Sequence, residues 1–178
     1  MYSKEPVWLL PEQIVQKYEE FCFYNHITER RIVKLFDAHL LRGKENRHGH
    51  KILVLQESFD LLKGHVHYTS MKKTLGHEAK SKRPNYLNCK YQIYYDSNKN
   101  WYTPKEILEI YSFLKYEGRF NTEFIGELYQ VGLVLGKYQS SEGCYHISLS
   151  SFVDLLKYLN FTLTQSLIFP PPPDTPQA

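Results

Sequence analysis

Arg30, Arg31 and Lys34 place three cationic side chains within five residues, and Arg42, Lys44, Arg47, His48, His50 and Lys51 follow shortly after. Donors at this density suit phosphate oxygens and base edges, since arginine offers a planar fork to guanine and lysine a mobile charge to the backbone. Thr28, just ahead of the first cluster, has the hydroxyl of a helix N-cap and can also meet a phosphate. Lys72, Lys73, Lys82 and Arg83 form a further basic set, interleaved with Tyr68, Tyr86, Tyr91, Tyr94 and Tyr95. The chemistry expected of these residues is contact with double-stranded DNA. Enzyme chemistry is not indicated, because the chain lacks a GxxxxGK phosphate loop, a GxSxG elbow and an HExxH site. His65, His67, His77 and Cys89, or His48 with His50, match no standard zinc spacing, so neither metal nor cofactor is expected.

Charge is unevenly distributed. Of a formal net charge of +3, residues 1–63 carry +1, residues 64–99 carry +5 and residues 100–163 carry −2. The three cysteines, Cys22, Cys89 and Cys144, are odd in number and far apart, which suits reduced thiols in packing roles. No apolar run approaches the roughly 20 residues that span a bilayer, and the opening MYSKEPVWLL lacks the apolar stretch of a signal peptide. The expected setting is the cytoplasm, in association with the nucleoid, with no membrane partner.

The elements that must position these residues are legible as a repeat. Displaced by 93 positions, the chain matches itself at Trp8/Trp101, Pro11/Pro104, Ile14/Ile107, Tyr18/Tyr111, Ile32/Ile125, Leu35/Leu128, Leu40/Leu133, Gly43/Gly136 and Lys44/Lys137. Nine identities over 37 ungapped positions exceed the roughly two expected by chance, and the match resumes at Ser58-Phe59 and Ser151-Phe152. In the first copy, Pro11 opens a helix expected to reach about Tyr24. A second helix follows Thr28 and buries Ile32, Leu35, Phe36, His39 and Leu40. Gly43 ends it, a hairpin tip falls at Asn46–Gly49, a return strand at Lys51–Leu55 and a short closing helix at Glu57–Lys63.

Helix, turn, basic helix, two-stranded wing and short helix resemble a winged helix-turn-helix, and the residues are similar to the excisionase and MerR-like group within it. LLPEQIVQKY resembles that group's opening helix, ITERRIVKLFDAHLLRG its recognition helix and exit, and HKILVLQESFDLL its wing strand and closing helix. About ten residues near Tyr18 to Ile27 exceed the tight turn usual there. The resemblance implies a helix-rich α+β chain of tandem winged helix-turn-helix domains with two-stranded wings. It also implies DNA binding as a transcription regulator or as an excision-type architectural factor of a mobile element or phage.

The second copy has exchanged that chemistry. Arg30, Arg31, Lys34 and Arg42 correspond to Glu123, Phe124, Glu127 and Leu135. Glutamates there repel phosphate, while Phe124, Leu135 and Tyr138 suggest a protein-contact face serving a homodimer or another partner. The organisation expected is therefore a DNA-binding unit over residues 7–63, a basic Tyr-rich connection over 64–99, an interaction unit over 100–163 and a Pro-rich tail over 164–178. A replication or partition initiator with tandem winged helices, or an adaptor using the fold for protein contacts alone, are the alternatives.

Overall fold

A computed structural model of the chain describes residues 5–46, 51–88 and 99–168. In the first half, β1 (Trp8–Leu9) leads into α1 (Pro11–Lys17), α2 (Glu19–Tyr24), α3 (Glu29–Asp37), β2 (Gly43–Asn46), β3 (Lys51–Leu55) and α4 (Gln56–Leu75). Short 3-10 helices follow at Gly76–Lys82 and Asn85–Asn88. The second half runs through β4 (Trp101–Tyr102), α5 (Pro104–Ile110), a 3-10 helix at Ser112–Gly118, α6 (Thr122–Gln130), β5 (Gly136–Gln139), β6 (Cys144–Ser148) and α7 (Leu149–Ile168). The described chain is thus α+β, with two three-stranded antiparallel sheets in the orders β1-β3-β2 and β4-β6-β5. No described helix is long and apolar enough to cross a membrane.

The displacement found in the sequence recurs in the backbone. Trp8 pairs with Leu55 as Trp101 pairs with Ser148, and Gly43 with Val54 as Gly136 with Ile147. Local chemistry explains the shared elements. Pro11 and Pro104 sit in first helical turns, where a missing N–H leaves no bond unmade. Thr28 caps α3 by accepting from the Arg31 N–H at 3.3 Å, and Asn121 caps α6 by accepting from the Phe124 N–H at 2.8 Å. The Ser58 and Ser151 hydroxyls accept from the Arg42 and Leu135 N–H groups, both at 2.7 Å, and tie each sheet to its long helix. Both copies need glycine at the start of the hairpin. A Cβ on Gly43 would stand 2.4 Å from the Leu53 carbonyl oxygen, and one on Gly136 2.8 Å from that of His146.

Five features depart from the sequence reading. The second helix, α3, ends at Asp37 rather than at Gly43, so His39 (φ 63) is exposed and Leu40 enters the core from the following loop. The opening helix breaks at Tyr18 (φ −111, ψ 39) into α1 and α2, and α2 fills most of the stretch between Tyr18 and Ile27. Each sheet has three strands rather than two, because β1 and β4 add to the hairpins through only two residues each, too short for period-2 alternation to reveal. The closing helix does not stop at Lys63: α4 continues to Leu75 and absorbs the start of the basic connection. Its extension buries His65, Val66, Tyr68 and Thr69, and this packing carries the helix through Gly64 despite the low helix propensity of glycine. Likewise α7 runs to Ile168, past the expected boundary at residue 163. The aromatic run YLNCKYQIYY has strand character in the sequence, but residues 89–95 of it lie outside the described residues and Tyr86–Asn88 is 3-10 helix.

The core is continuous across the halves. Ile14, Ile32, Leu35 and Phe59 belong to the same buried cluster as their equivalents Ile107, Ile125, Leu128 and Phe152. Where the long helices meet, the His65 ring lies 5.1 Å from that of Tyr158. The Tyr158 hydroxyl donates to the Leu40 carbonyl at 2.9 Å, and Lys72 pairs with Asp154 at 3.1 Å. Tyr86 contacts both rings, at 5.8 Å from His65 and 5.5 Å from Tyr158.

Candidate functional site

α3, the helix bearing Arg30, Arg31 and Lys34, has three faces. Ile32 and Leu35 enter the core of their own unit, and Glu29, Arg30, Val33 and Asp37 face solvent. The third face carries Arg31 and Lys34 and meets α6. Lys34 Nζ donates to both carboxylate oxygens of Glu127, at 3.0 and 2.9 Å, and lies 3.9 Å from Glu123. Arg31 donates to the His26 carbonyl at 2.7 Å and to the Gln130 side-chain oxygen, and its Nε stands 3.9 Å from Glu127.

Lys34 and Glu127 are equivalent positions, 93 residues apart, and so are His65 and Tyr158. A residue meeting its own counterpart is the signature of a two-fold, isologous contact, here formed within one chain. The exchange of Lys34 for Glu127 between copies is therefore complementarity across this contact. A lysine at both positions, or a glutamate at both, would set like charges against each other with little water to screen them.

The other expected DNA-contact residues are dispersed. Thr28 is exposed at the α3 N-terminus, and Arg30 projects from the rim of an open groove of about 900 Å³ lined by Val15, Cys22, Phe23, Tyr24 and Ile27. Lys44 lies 4.6 Å from the centre of the Trp8 ring, as Lys137 does over Trp101 at 4.8 Å. Lys51 is exposed at the start of β3, Arg42 is half-buried, and Arg47, His48 and His50 lie outside the described residues. Lys72 is engaged by Asp154, and Arg83 donates to the Leu87 carbonyl at 2.6 Å. Lys73 and Lys82 remain exposed. Among the described residues, Arg31 and Lys34 are half-buried and engaged with α6, while Thr28, Arg30, Lys51, Lys73 and Lys82 are exposed.

The expected protein-contact face of the second unit separates as well. Phe124 is only 4% exposed and packs edge-on against Phe120 at 5.2 Å, because position 124 corresponds to Arg31 and faces inward. Leu135 is half-buried, whereas Tyr138 is 55% exposed and contacts Tyr145 at 5.1 Å. Trp101 and Phe113 of the second unit are also exposed, and in the first unit Phe23 and Tyr24 on α2 expose still more of their surface beside the groove, at 76% and 70%. His65 is enclosed by rings and hydrogen-bonds Tyr86 at 2.5 Å, while His67 is exposed, so these two do not gather around a metal. His77 carries no described side-chain environment, and Cys89 lies outside the described residues.

Sequence reasoning missed one cluster altogether. Glu142, Cys144 and His146 bring their donor atoms within 4.8 Å of one another on the second hairpin. Alternation places Cys144 and His146 on one face of β6, but Glu142 lies in the turn, and no sequence period marks it as their neighbour.

No protein-family model, curated protein or solved structure matches the chain.

The paired helices carry a direct test. Lys34→Glu sets a third carboxylate beside Glu123 and Glu127 and should destabilise the fold by about 2 kcal/mol, less than for a fully buried pair because both groups keep some solvent. The double exchange Lys34→Glu with Glu127→Lys should recover most of that loss in urea unfolding. An additive double variant would mean that the two charges do not interact.

Proposed function

We propose that the chain is a winged-helix protein that binds duplex DNA through the first hairpin, β2–β3, and the Arg30 edge of α3, with the second unit bracing α3 rather than reading DNA. One observation carries this reading. Two hairpins of the same register differ in their residues: Lys51 on β3 stands against Cys144 on β6, and in the sequence Arg47, His48 and His50 correspond to Ser140, Ser141 and Gly143, while Lys44 and Lys137 are shared. A hairpin dense in cations follows a phosphate backbone or enters a minor groove, whereas its counterpart supplies little charge for either. Regulation of transcription, excision of a mobile element and replication initiation all fit such a protein, and nucleoid association follows from it.

Binding to random duplex should weaken steeply with salt. Arg47→Ala with Lys51→Ala should flatten the slope of log affinity against log salt by about 2, roughly 0.9 for each phosphate contact removed. Lys34→Ala should leave that slope unchanged, because Lys34 is held by Glu127. Absence of duplex binding by the full chain at low salt would exclude the proposal. It would favour the adaptor reading, which the exposed Phe23 and Tyr24 beside the α2–α3 groove support.

A further inference from the structure

We propose that Glu142, Cys144 and His146 form a binding site for a zinc-class divalent metal ion on the second hairpin. The site is built by the turn. Gly143 adopts φ +64, and the N–H groups of Glu142 and Gly143 both return to the Gln139 carbonyl, at 3.1 and 2.9 Å. This brings Glu142 back over the face of β6 that carries Cys144 and His146. Cys144 Sγ lies 3.7 Å from a Glu142 oxygen and 3.7 Å from His146 Nε2, and those two atoms are 2.8 Å apart.

Tetrahedral zinc with bonds of about 2.0–2.3 Å holds such atoms roughly 3.3–3.6 Å apart. The two sulfur distances stand only about 0.1 Å beyond that range, and the imidazole and carboxylate must part by about half an ångström to admit the ion. Thiolate and imidazole select zinc or cobalt over calcium or magnesium, and three protein ligands leave one position for water. On binding, the Cys144 thiol loses its proton to solvent and the sulfur lone pair forms the metal bond. Lys137, across the ladder from His146, has its ammonium over the Trp101 ring. The first hairpin has Gly49, Lys51 and Leu53 at the equivalent positions, so the site belongs to the second copy alone.

Cobalt(II) titration of the untagged, metal-free full chain reads this out. The expected result is saturation at one equivalent with a thiolate-to-cobalt charge-transfer band and intense tetrahedral ligand-field absorption, both removed by zinc(II). Cys144→Ser should abolish the charge-transfer band, and Glu142→Gln and His146→Gln should each weaken binding at least about tenfold. Cys89→Ser should leave the band intact. Because Cys144 and Glu142 lie outside the core, unchanged far-UV dichroism should accompany each variant. A band that survives Cys144→Ser, or no band at stoichiometric cobalt, would overturn the assignment.

Discussion

Tyr158→Ala is expected to lower the stability of the whole chain by about 3–5 kcal/mol, the range for emptying a fully buried aromatic site. Tyr158 has no exposed surface and stands where α4 and α7 meet, against the rings of His65 and Tyr86, with its hydroxyl on the Leu40 carbonyl. The cavity would therefore open between the two copies rather than inside one of them. For a chain of this length each kcal/mol corresponds to roughly 2–4 °C in Tm, so a fall of about 6–20 °C follows. Tyr158→Phe keeps the ring and removes only the donor, leaving the Leu40 carbonyl without it, which should cost about 1–2 kcal/mol. Calorimetry and urea unfolding check both variants. If alanine is tolerated within 1 kcal/mol, the junction of the long helices contributes little and the copies are stable separately.

The second large effect is a dependence on pH centred on His65. Burial pushes its imidazole down to about 4, opposed in part by the Leu133 backbone and reinforced by the charge of Lys72, while Nε2 meets no partner of standard hydrogen-bond geometry. The neutral ring is the native form. Between the ordinary value near 6.5 and the native value near 4, the unfolded chain binds a proton that the folded chain excludes. This group's contribution is therefore complete above about pH 6.5, is lost progressively as the pH falls, and levels off below about pH 4. The loss amounts to about 3 kcal/mol over that window. In His65→Phe the fall in stability between pH 6.5 and 4 should be smaller by about that amount, measured as urea unfolding free energy at a series of pH values. An unchanged profile would show that His65 is solvated or already charged in the native state. Other histidines and the carboxylates shape the rest of the curve, which is why the comparison is between variant and parent at each pH.

Pairing of α3 with α6 changes what the basic cluster means. Three cations on a helix had the form of a nucleic-acid reader, and two of them instead neutralise the glutamates of the opposite copy. Of the three cations only Arg30 stays exposed for the proposed DNA contact, alongside the first hairpin. The glutamates at positions 123 and 127 likewise no longer imply a surface that has merely lost its cations, since at least Glu127 has a partner that holds it.

Much of the local architecture could be read from the residues. The 93-residue displacement, Pro11 and Pro104 at helix starts, Thr28 as a cap, and Ile32 and Leu35 as the buried stripe of α3 are all near-neighbour chemistry, and each recurs in the structure, whereas α3 stops at Asp37, short of Gly43, and leaves His39 exposed. The full length of α4 and α7, the short strands β1 and β4, and the pairing of Lys34 with Glu127 and His65 with Tyr158 were decided only by the tertiary structure. Such features depend on which surface meets which at long range, and a charge on a helix reads the same in sequence whether it faces phosphate, water or a carboxylate. Amphipathic periodicity locates the stripe of α3 that faces its own core, but a second stripe at Arg31 and Lys34 is polar and gives no hydrophobic signal. Complementary charge at equivalent positions of a repeat is the one trace of that contact in the sequence, and only the folded chain brings those positions together.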